Sequence, residues 1–317
     1  MTADPTIEDI RTASERIRSF IHCTPVLTCE ALNRMSGASL FFKCENFQKA
    51  GVFKIRGAAN AVFSLREEDV SNGVATHSSG NHAAALALAA HWRGTRAFVV
   101  MPRTAPGVKK EAVAGYGAEI VFCEPTLRSR EETLGEVVAR TGAVVVHPYN
   151  DHRVICGQGT AALELCQEVS ELDVVMTPVG GGGLVSGTAI VVSSLSPRTE
   201  VVAAEPERAD DAYRSLQAGR ILPSENPDTI ADGLLTSLGD LTFPIIQRHV
   251  RNIVTVSEES IVAGMRCVWE RMKVVIEPSA AVPVGALLGN RELFAGKRVG
   301  VILSGGNADL TNLPWVR

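Results

Sequence analysis

The 317-residue sequence contains no C-x-x-C pair, and its seven cysteines are an odd number. Cys23 and Cys29 lie six apart and Cys156 and Cys166 ten apart, spacings that build neither a zinc site nor a disulfide framework. Buried thiols in a reducing cytosol are the expectation. No basic run exceeds two residues and the net charge is −4, which argues against a nucleic-acid partner. The opening stretch MTADPTIEDIRTASERI is polar and acidic and lacks the apolar core of a secretory signal. No apolar run is long enough to span a bilayer, so no membrane partner is expected. Internal repeats and Pro/Ser-rich linkers are missing too. What remains, at 45% hydrophobic and 21% charged residues, is an ordinary cytoplasmic globular composition.

Short apolar runs alternate with helical patterns. Strands are predicted at Ser39–Phe42, Ala97–Met101, Glu119–Phe122, Val144–His147, Val174–Val179, Val201–Ala204 and Arg298–Leu303. Helices are predicted at Ala83–Trp92, Arg130–Thr141, Ala161–Ser170 and Leu184–Leu195. Several strands are apolar throughout rather than alternating, as when helices cover both faces of a sheet. The order implies an α/β fold with mostly parallel sheets, and the length implies two domains with the chain crossing between them.

Four stretches carry chemistry. Lys54 stands in QKAGVFKIRGAANAV between Gly51 and Gly57. A lone lysine in an apolar strip is usually a snorkelling surface side chain. A desolvated one loses its proton more readily and can form an imine with an aldehyde cofactor. Ser78-Ser79-Gly80-Asn81-His82 runs into a small-residue helix, where free backbone N–H groups suit a carboxylate. Simple capping by Ser or Asn is the plainer reading. Gly180-Gly181-Gly182-Gly183 joins an apolar strand to a helix and lets the backbone approach an anion. It lacks the G-x-G-x-x-G context and a Walker lysine, so one small phosphate suits it better than a dinucleotide. A flexible turn is the alternative. Ser304-Gly305-Gly306-Asn307 follows a strand, where open α/β sheets bind ligands, although an ordinary turn would read the same.

Together these features resemble one family, the fold-type II pyridoxal-phosphate (PLP) enzymes, in the group of serine racemase, threonine/serine dehydratase and threo-3-hydroxyaspartate ammonia-lyase. The matching stretches include FFKCENFQKAGVFKIRGA, ATHSSGNHA, HPYNDHRVICGQGTAALEL, PVGGGGLVSG, AAEPERADDAYRS, TIADGL, VWERMKVVIEPSAAV and VILSGGNADL, in the family's order along nearly the whole chain. The fold so implied is the tryptophan synthase β-like one, with two open twisted sheets flanked by helices. Its expected domains are a large PLP-binding one, residues 1–72 and 151–317, and a small one, residues 73–150, with the substrate carboxylate loop.

The resemblance also assigns roles. Lys54 becomes the Schiff-base lysine and α-proton base, and Ser79 the acid/base on the opposite face. Phe53 packs on the pyridine ring, Asn81 meets its hydroxyl and Ser304 its nitrogen. Gly180, Gly181, Gly182 and Gly183 cradle the phosphate, and Gly233 joins the cofactor set. Ser78, Ser79, Asn81 and His82 bind the substrate carboxylate. Arg130, in CEPTLRSREETL, matches an arginine that reaches the distal end of dicarboxylates; the plainer reading is a helix-start residue paired with a neighbouring acid. Glu205, the Ala209 carbonyl and Asp211 match a divalent-cation site with oxygen ligands suited to Mg²⁺ or Ca²⁺, where the plainer reading is a solvated acidic loop. Val52 replaces a frequent Ser or Ala, and Ala83-Ala84 a frequent Gly-Gln. The implied function is elimination of water from a β-hydroxy amino acid, 3-hydroxyaspartate ahead of serine and threonine, in a homodimer. Racemisation competes with it; a β-replacing synthase and a PLP-binding regulator are weaker rivals.

Overall fold

The computed structural model describes residues 4–78, 80–105 and 107–316. The strands among them are β1 (Val26–Leu27), β2 (Ser39–Cys44), β3 (Val74–His77), β4 (Ala97–Pro102), β5 (Glu119–Cys123), β6 (Val144–Val145), β7 (Val174–Pro178), β8 (Glu200–Pro206), β9 (Asn252–Val256) and β10 (Arg298–Leu303). Six of them form one sheet in the order β1-β2-β10-β7-β8-β9, and four form a second in the order β5-β4-β3-β6. Every pairing is parallel except β1 with β2. The fold is therefore α/β, with two mostly parallel sheets flanked by helices.

Burial explains the sequence pattern. Val299, Val301 and Leu303 of β10 pack into one apolar layer, while Ile302 packs into the layer on the other face. A strand covered on both sides has no solvent face, so its apolar residues run without alternation. The strands missing from the sequence reading lack that signature. In β3, VATH is short and half polar; β9 is an edge strand with Thr255 exposed; β1 has two residues. The expected strand Val144–His147 is shorter, Val144–Val145, its last bond to β3 running from the Val146 N–H to the Ala75 carbonyl at 2.9 Å. The expected helix Ala161–Ser170 is the end of a longer one, His152–Glu168.

Three helices pack through glycines: Lys54–Phe63, His152–Glu168 and Gly183–Leu195. A Cβ on Gly157 would lie 2.5 Å from the Arg56 carbonyl oxygen, and one on Gly187 would lie 2.6 Å from the Gly159 nitrogen. Backbones at this distance leave no room for a side chain. The contact draws the start of the Lys54 helix towards the start of the helix that follows the glycine loop. Of the cysteines, Cys44, Cys123 and Cys156 are buried and Cys23 is exposed, so the expectation of buried thiols holds for only part of the set.

Candidate active site

Parallel strands deliver their C-terminal ends to one edge of a sheet, and ligands of open α/β folds bind there. In the larger sheet β2 leads to Lys54, β7 to Gly180–Gly183 and β10 to Ser304; in the smaller, β3 leads to Ser78 and β6 to Pro148. Bonds cross between the two sets. Lys54 Nζ donates to the Pro148 carbonyl at 2.9 Å, and Asn81 Nδ2 lies 3.0 Å from each carboxylate oxygen of Glu277.

Lys54 opens its helix, with its ammonium 5.0 Å from the Phe53 ring centroid. Burial pushes the amine down to about 8, against the pull of the Glu277 carboxylate. About a tenth of such an amine is uncharged at pH 7, far more than of an ordinary lysine, and that is the form that attacks a carbonyl. Two residues on, Arg56 is fully buried in an ion network. Its guanidinium pairs with Glu45 and with Glu164, and Glu164 also pairs with buried Lys43 at 2.6 Å. Two cations and two anions balance there, which fixes the first turn of the helix.

The Gly180–Gly183 segment is closed to side chains. A Cβ on Gly181 would sit 2.3 Å from the Tyr149 ring, and one on Gly180 2.9 Å from the Leu234 Cα. Gly182 has φ +90°, which favours glycine. It precedes the 13-residue helix Gly183–Leu195 without any side-chain cap, so the first-turn N–H groups stay open. Such a cradle fits a phosphate better than the flexible turn of the plainer reading. Gly233 donates its N–H to Ser279 Oγ at 3.1 Å and lies beside Leu234, which touches the cradle. Ser304, 2% exposed, directly follows β10, and its carbonyl accepts from the Phe53 N–H at 3.0 Å.

The helix Asn81–Arg93 starts without a side-chain cap, from Gly80. Among the described residues the Ser78 Oγ accepts only from the Gly80 N–H, at 3.4 Å, and no side chain caps the first turn, so its N–H groups can take a carboxylate. Ser79 lies outside the described residues. The His82 ring is buried, with Nε2 3.1 Å from the Val146 carbonyl and Nδ1 without a partner among the described residues. That leaves its backbone, not its ring, for a ligand in the cleft. Burial drives this imidazole down to about 3.

Beside it, the His147 ring meets the His77 ring edge-on at 5.9 Å and the Tyr149 ring at 4.6 Å. Burial holds His147 down at about 4, helped by the neighbouring His77 and Lys54. Burial lowers the His77 imidazole, Glu131 opposes this and Arg130, in the first turn of Leu127–Thr141, adds to it; the Arg130 Nε is itself buried without an acceptor among the described residues. The pairing with a neighbouring acid does not form at that nitrogen.

Glu205 lies within β8, not on the loop after it, and Asp211 opens the helix Asp211–Ala218. Both are fully buried, as is Ala209 at 4% exposure, so a solvated loop is excluded. Glu205 accepts the N–H groups of Ala212 and Tyr213, each at 2.8 Å. Burial raises it to about 9 and Asp211 to about 6. Neither Asp211 oxygen has a partner at full hydrogen-bond geometry among the described residues, although the Ser224 hydroxyl and the Leu238 backbone lie near enough to oppose the rise. The buried Asp211 carboxylate beside Glu205, whose two oxygens each already accept one N–H, offers oxygen ligands suited to a hard divalent cation, although no cluster of three or more His, Cys, Asp or Glu is arranged for one among the described residues.

The sequence reading gave no role to Glu277 or to Asn307, although Asn307 closes the Ser304–Asn307 stretch singled out there. Asn307 Nδ2 donates to Asn81 Oδ1 at 2.9 Å and to the Ala50 carbonyl at 3.0 Å. An acidic residue inside the apolar run of VVIEPSAAV was the one available signal.

The sequence model for pyridoxal-phosphate dependent enzymes matches residues 17–305. A β-hydroxyaspartate dehydratase of Paracoccus denitrificans (strain Pd 1222) is 56% identical over 311 residues, covering 98% of this chain and 99% of its own. A serine racemase of Dictyostelium discoideum is 49% identical over 317 residues, covering 98% and 97%. The solved structure of maize serine racemase superposes with a TM-score of 0.96 at 45% identity, covering 98% of this chain and 95% of that one. The uncapped glycine cradle and the desolvated lysine thus belong to a recognised set: the chain is a member of the fold-type II PLP-dependent enzymes, in the family of serine racemases, threonine dehydratases and β-hydroxyaspartate dehydratases.

Proposed function

We propose that the protein is an ammonia-lyase that removes water from 3-hydroxyaspartate in preference to serine and threonine, giving a 2-oxo acid and ammonia. PLP, when bound, supplies the electron sink that makes the α-proton of an amino acid acidic. Lys54 holds the cofactor and carries the α-proton, its lowered pKa suiting proton transfer near neutral pH. Phe53 packs on the ring, Asn81 meets its hydroxyl, Ser304 offers a neutral partner to its nitrogen, and Gly180–Gly183 with Gly233 hold the phosphate. Ser78, Asn81 and His82 bind the α-carboxylate. Ser79 is the acid/base on the face opposite Lys54, a role taken from the family resemblance. Glu205, Ala209 and Asp211 hold Mg²⁺ or Ca²⁺ away from the chemistry. Residues 1–72 with 151–317 form the large domain and 73–150 the small one, in a cytoplasmic homodimer.

One observation carries the dicarboxylate preference. The buried Nε of Arg130 has no acceptor among the described residues, beside the His77–His147–Tyr149 cluster. A guanidinium left open in this way can grip a second carboxylate through two parallel hydrogen bonds. The 56% identity to a protein named for β-hydroxyaspartate supports the same substrate. The 49% identity to a serine racemase favours racemisation as a second activity on the same residues. The test is to incubate the PLP-loaded protein with each β-hydroxy amino acid and measure 2-oxo acid, ammonia and the chirality of recovered substrate. Ammonia release fastest from 3-hydroxyaspartate supports the proposal; inversion without ammonia transfers it to the racemase reading.

A further inference from the structure

The Asn81 amide sits in a chain of four groups. At one end, the Ala50 carbonyl accepts from Asn307 Nδ2 at 3.0 Å. The same nitrogen donates to Asn81 Oδ1 at 2.9 Å. At the other end, Asn81 Nδ2 reaches both Glu277 oxygens at 3.0 Å. A carbonyl only accepts, and so does an ionised carboxylate. The two ends therefore dictate the same orientation for an amide that would otherwise flip freely. Glu277 is 4% exposed, at the start of the helix Pro278–Gly289. Its own N–H donates to the Gly305 carbonyl at 3.0 Å, next to Ser304. A Cβ on Gly305 would come 2.7 Å from Glu277 Oε1, so the carboxylate is walled in.

We propose that Glu277 is a positioning residue that, together with Asn307, locks the Asn81 amide with its second N–H free to donate to the hydroxyl oxygen of the cofactor ring. Three charged groups face Glu277 from the surrounding elements: Lys54, Asp232 and Lys109. Asp232 and Lys109 pair with each other. Burial first, then Asp232, raises the carboxyl to about 7, while the Asn81 amide opposes the rise. Once protonated, Glu277 gains an O–H donor and ceases to be an obligate acceptor, so Asn81 is held from the Asn307 end alone.

This inference rests on Asn81 meeting the cofactor ring, not on which amino acid is turned over. The test follows the absorption bands of bound PLP between about pH 6 and 8, together with PLP affinity, without substrate. Wild type should show a band ratio that changes with a midpoint near neutral pH, where a buried carboxyl with this shift titrates. Glu277→Gln still accepts from Asn81, so it should keep PLP affinity within about threefold while losing the pH change. Glu277→Ala should weaken PLP binding by roughly three- to tenfold, the size of one hydrogen bond. Asn81→Ala should shift the bands at every pH. The inference is overturned by a flat wild-type profile, by an unchanged pH profile in Glu277→Gln, or by wild-type PLP affinity in Glu277→Ala. If Asn81→Ala leaves the bands unaltered, the placement of Asn81 at the ring fails and the inference with it. A wild-type response in Glu277→Gln beside shifted bands in Asn81→Ala overturns only the role of Glu277. Should Glu277→Ala not fold, the Gln variant decides.

Discussion

The Arg56 guanidinium grips the Glu45 carboxylate with two hydrogen bonds, 2.6 Å from Nε and 2.8 Å from Nη2, with both side chains sealed from solvent. The pair lies two residues from Lys54 and ties the lysine's helix to the end of β2. Removing one partner of a buried pair leaves the other as an uncompensated charge, at a cost of about 3–5 kcal/mol. Arg56→Met should therefore lower stability by that order in urea unfolding, and the added change Glu45→Gln should restore part of it. A loss below about 1 kcal/mol would show that the network does not hold the helix.

Lys54 should be the single point of covalent attachment for the cofactor. Its amine is desolvated and bonded to the Pro148 carbonyl. Borohydride treatment of the yellow protein, followed by peptide mapping, should place the reduced cofactor on Lys54. Label on Lys49 or another lysine would remove the basis of the site, and Lys54→Ala should be colourless after dialysis.

The buried carboxylates of Glu205, within β8, and Asp211, after it, predict a response to chelation. A cation at about a hundred times its dissociation constant stabilises by about 2.7 kcal/mol. For a chain of this size, that moves Tm by on the order of 5 °C. A chelator should lower Tm by this amount, Mg²⁺ or Ca²⁺ should restore it, and Asp211→Ala should abolish the response. A Tm indifferent to chelator would leave Glu205 and Asp211 as a buried acid pair without a cation.

His82 should make the protein acid-sensitive. Burial holds its folded pKa near about 3, below the ordinary imidazole value of 6.5. Between those values the unfolded chain takes up a proton that the native ring refuses, so stability falls as pH falls. The slope approaches about 1.4 kcal/mol per pH unit, or about 2 kcal/mol lost at pH 5 relative to pH 8. Chemical denaturation across this range should give a shallower profile for His82→Gln than for wild type. Parallel profiles would mean that the ring is protonated in the native state.

What the sequence revealed and what it hid have physical causes. The glycine loop and Ser304 were legible because each follows a strand buried on both faces, which announces itself as an unbroken apolar run, whereas Lys54 was marked by its flanking glycines and by resemblance. Ser79 could be named from its motif but lies outside the described residues. Arg130 was legible only through resemblance, since an arginine at a helix start is indistinguishable locally from a surface one. Glu277 stayed hidden because its partner Asn81 is 196 residues away, and no local pattern encodes that meeting. The polar strand β3 and the edge strand β9 lacked the continuous apolar signature. Asp211 looked like part of an exposed acidic loop, and only the fold shows it buried.

The most direct test of the proposed function compares kcat/KM for 3-hydroxyaspartate with that for serine and threonine, in wild type and in Arg130→Ala. A buried charge-assisted contact contributes about 1.5–3 kcal/mol, equivalent to roughly ten- to a hundredfold in specificity. Wild type should prefer 3-hydroxyaspartate, and Arg130→Ala should lose that factor for it while changing serine and threonine by less than about threefold. A wild-type preference for serine, or an equal loss on all three substrates, would contradict the dicarboxylate assignment.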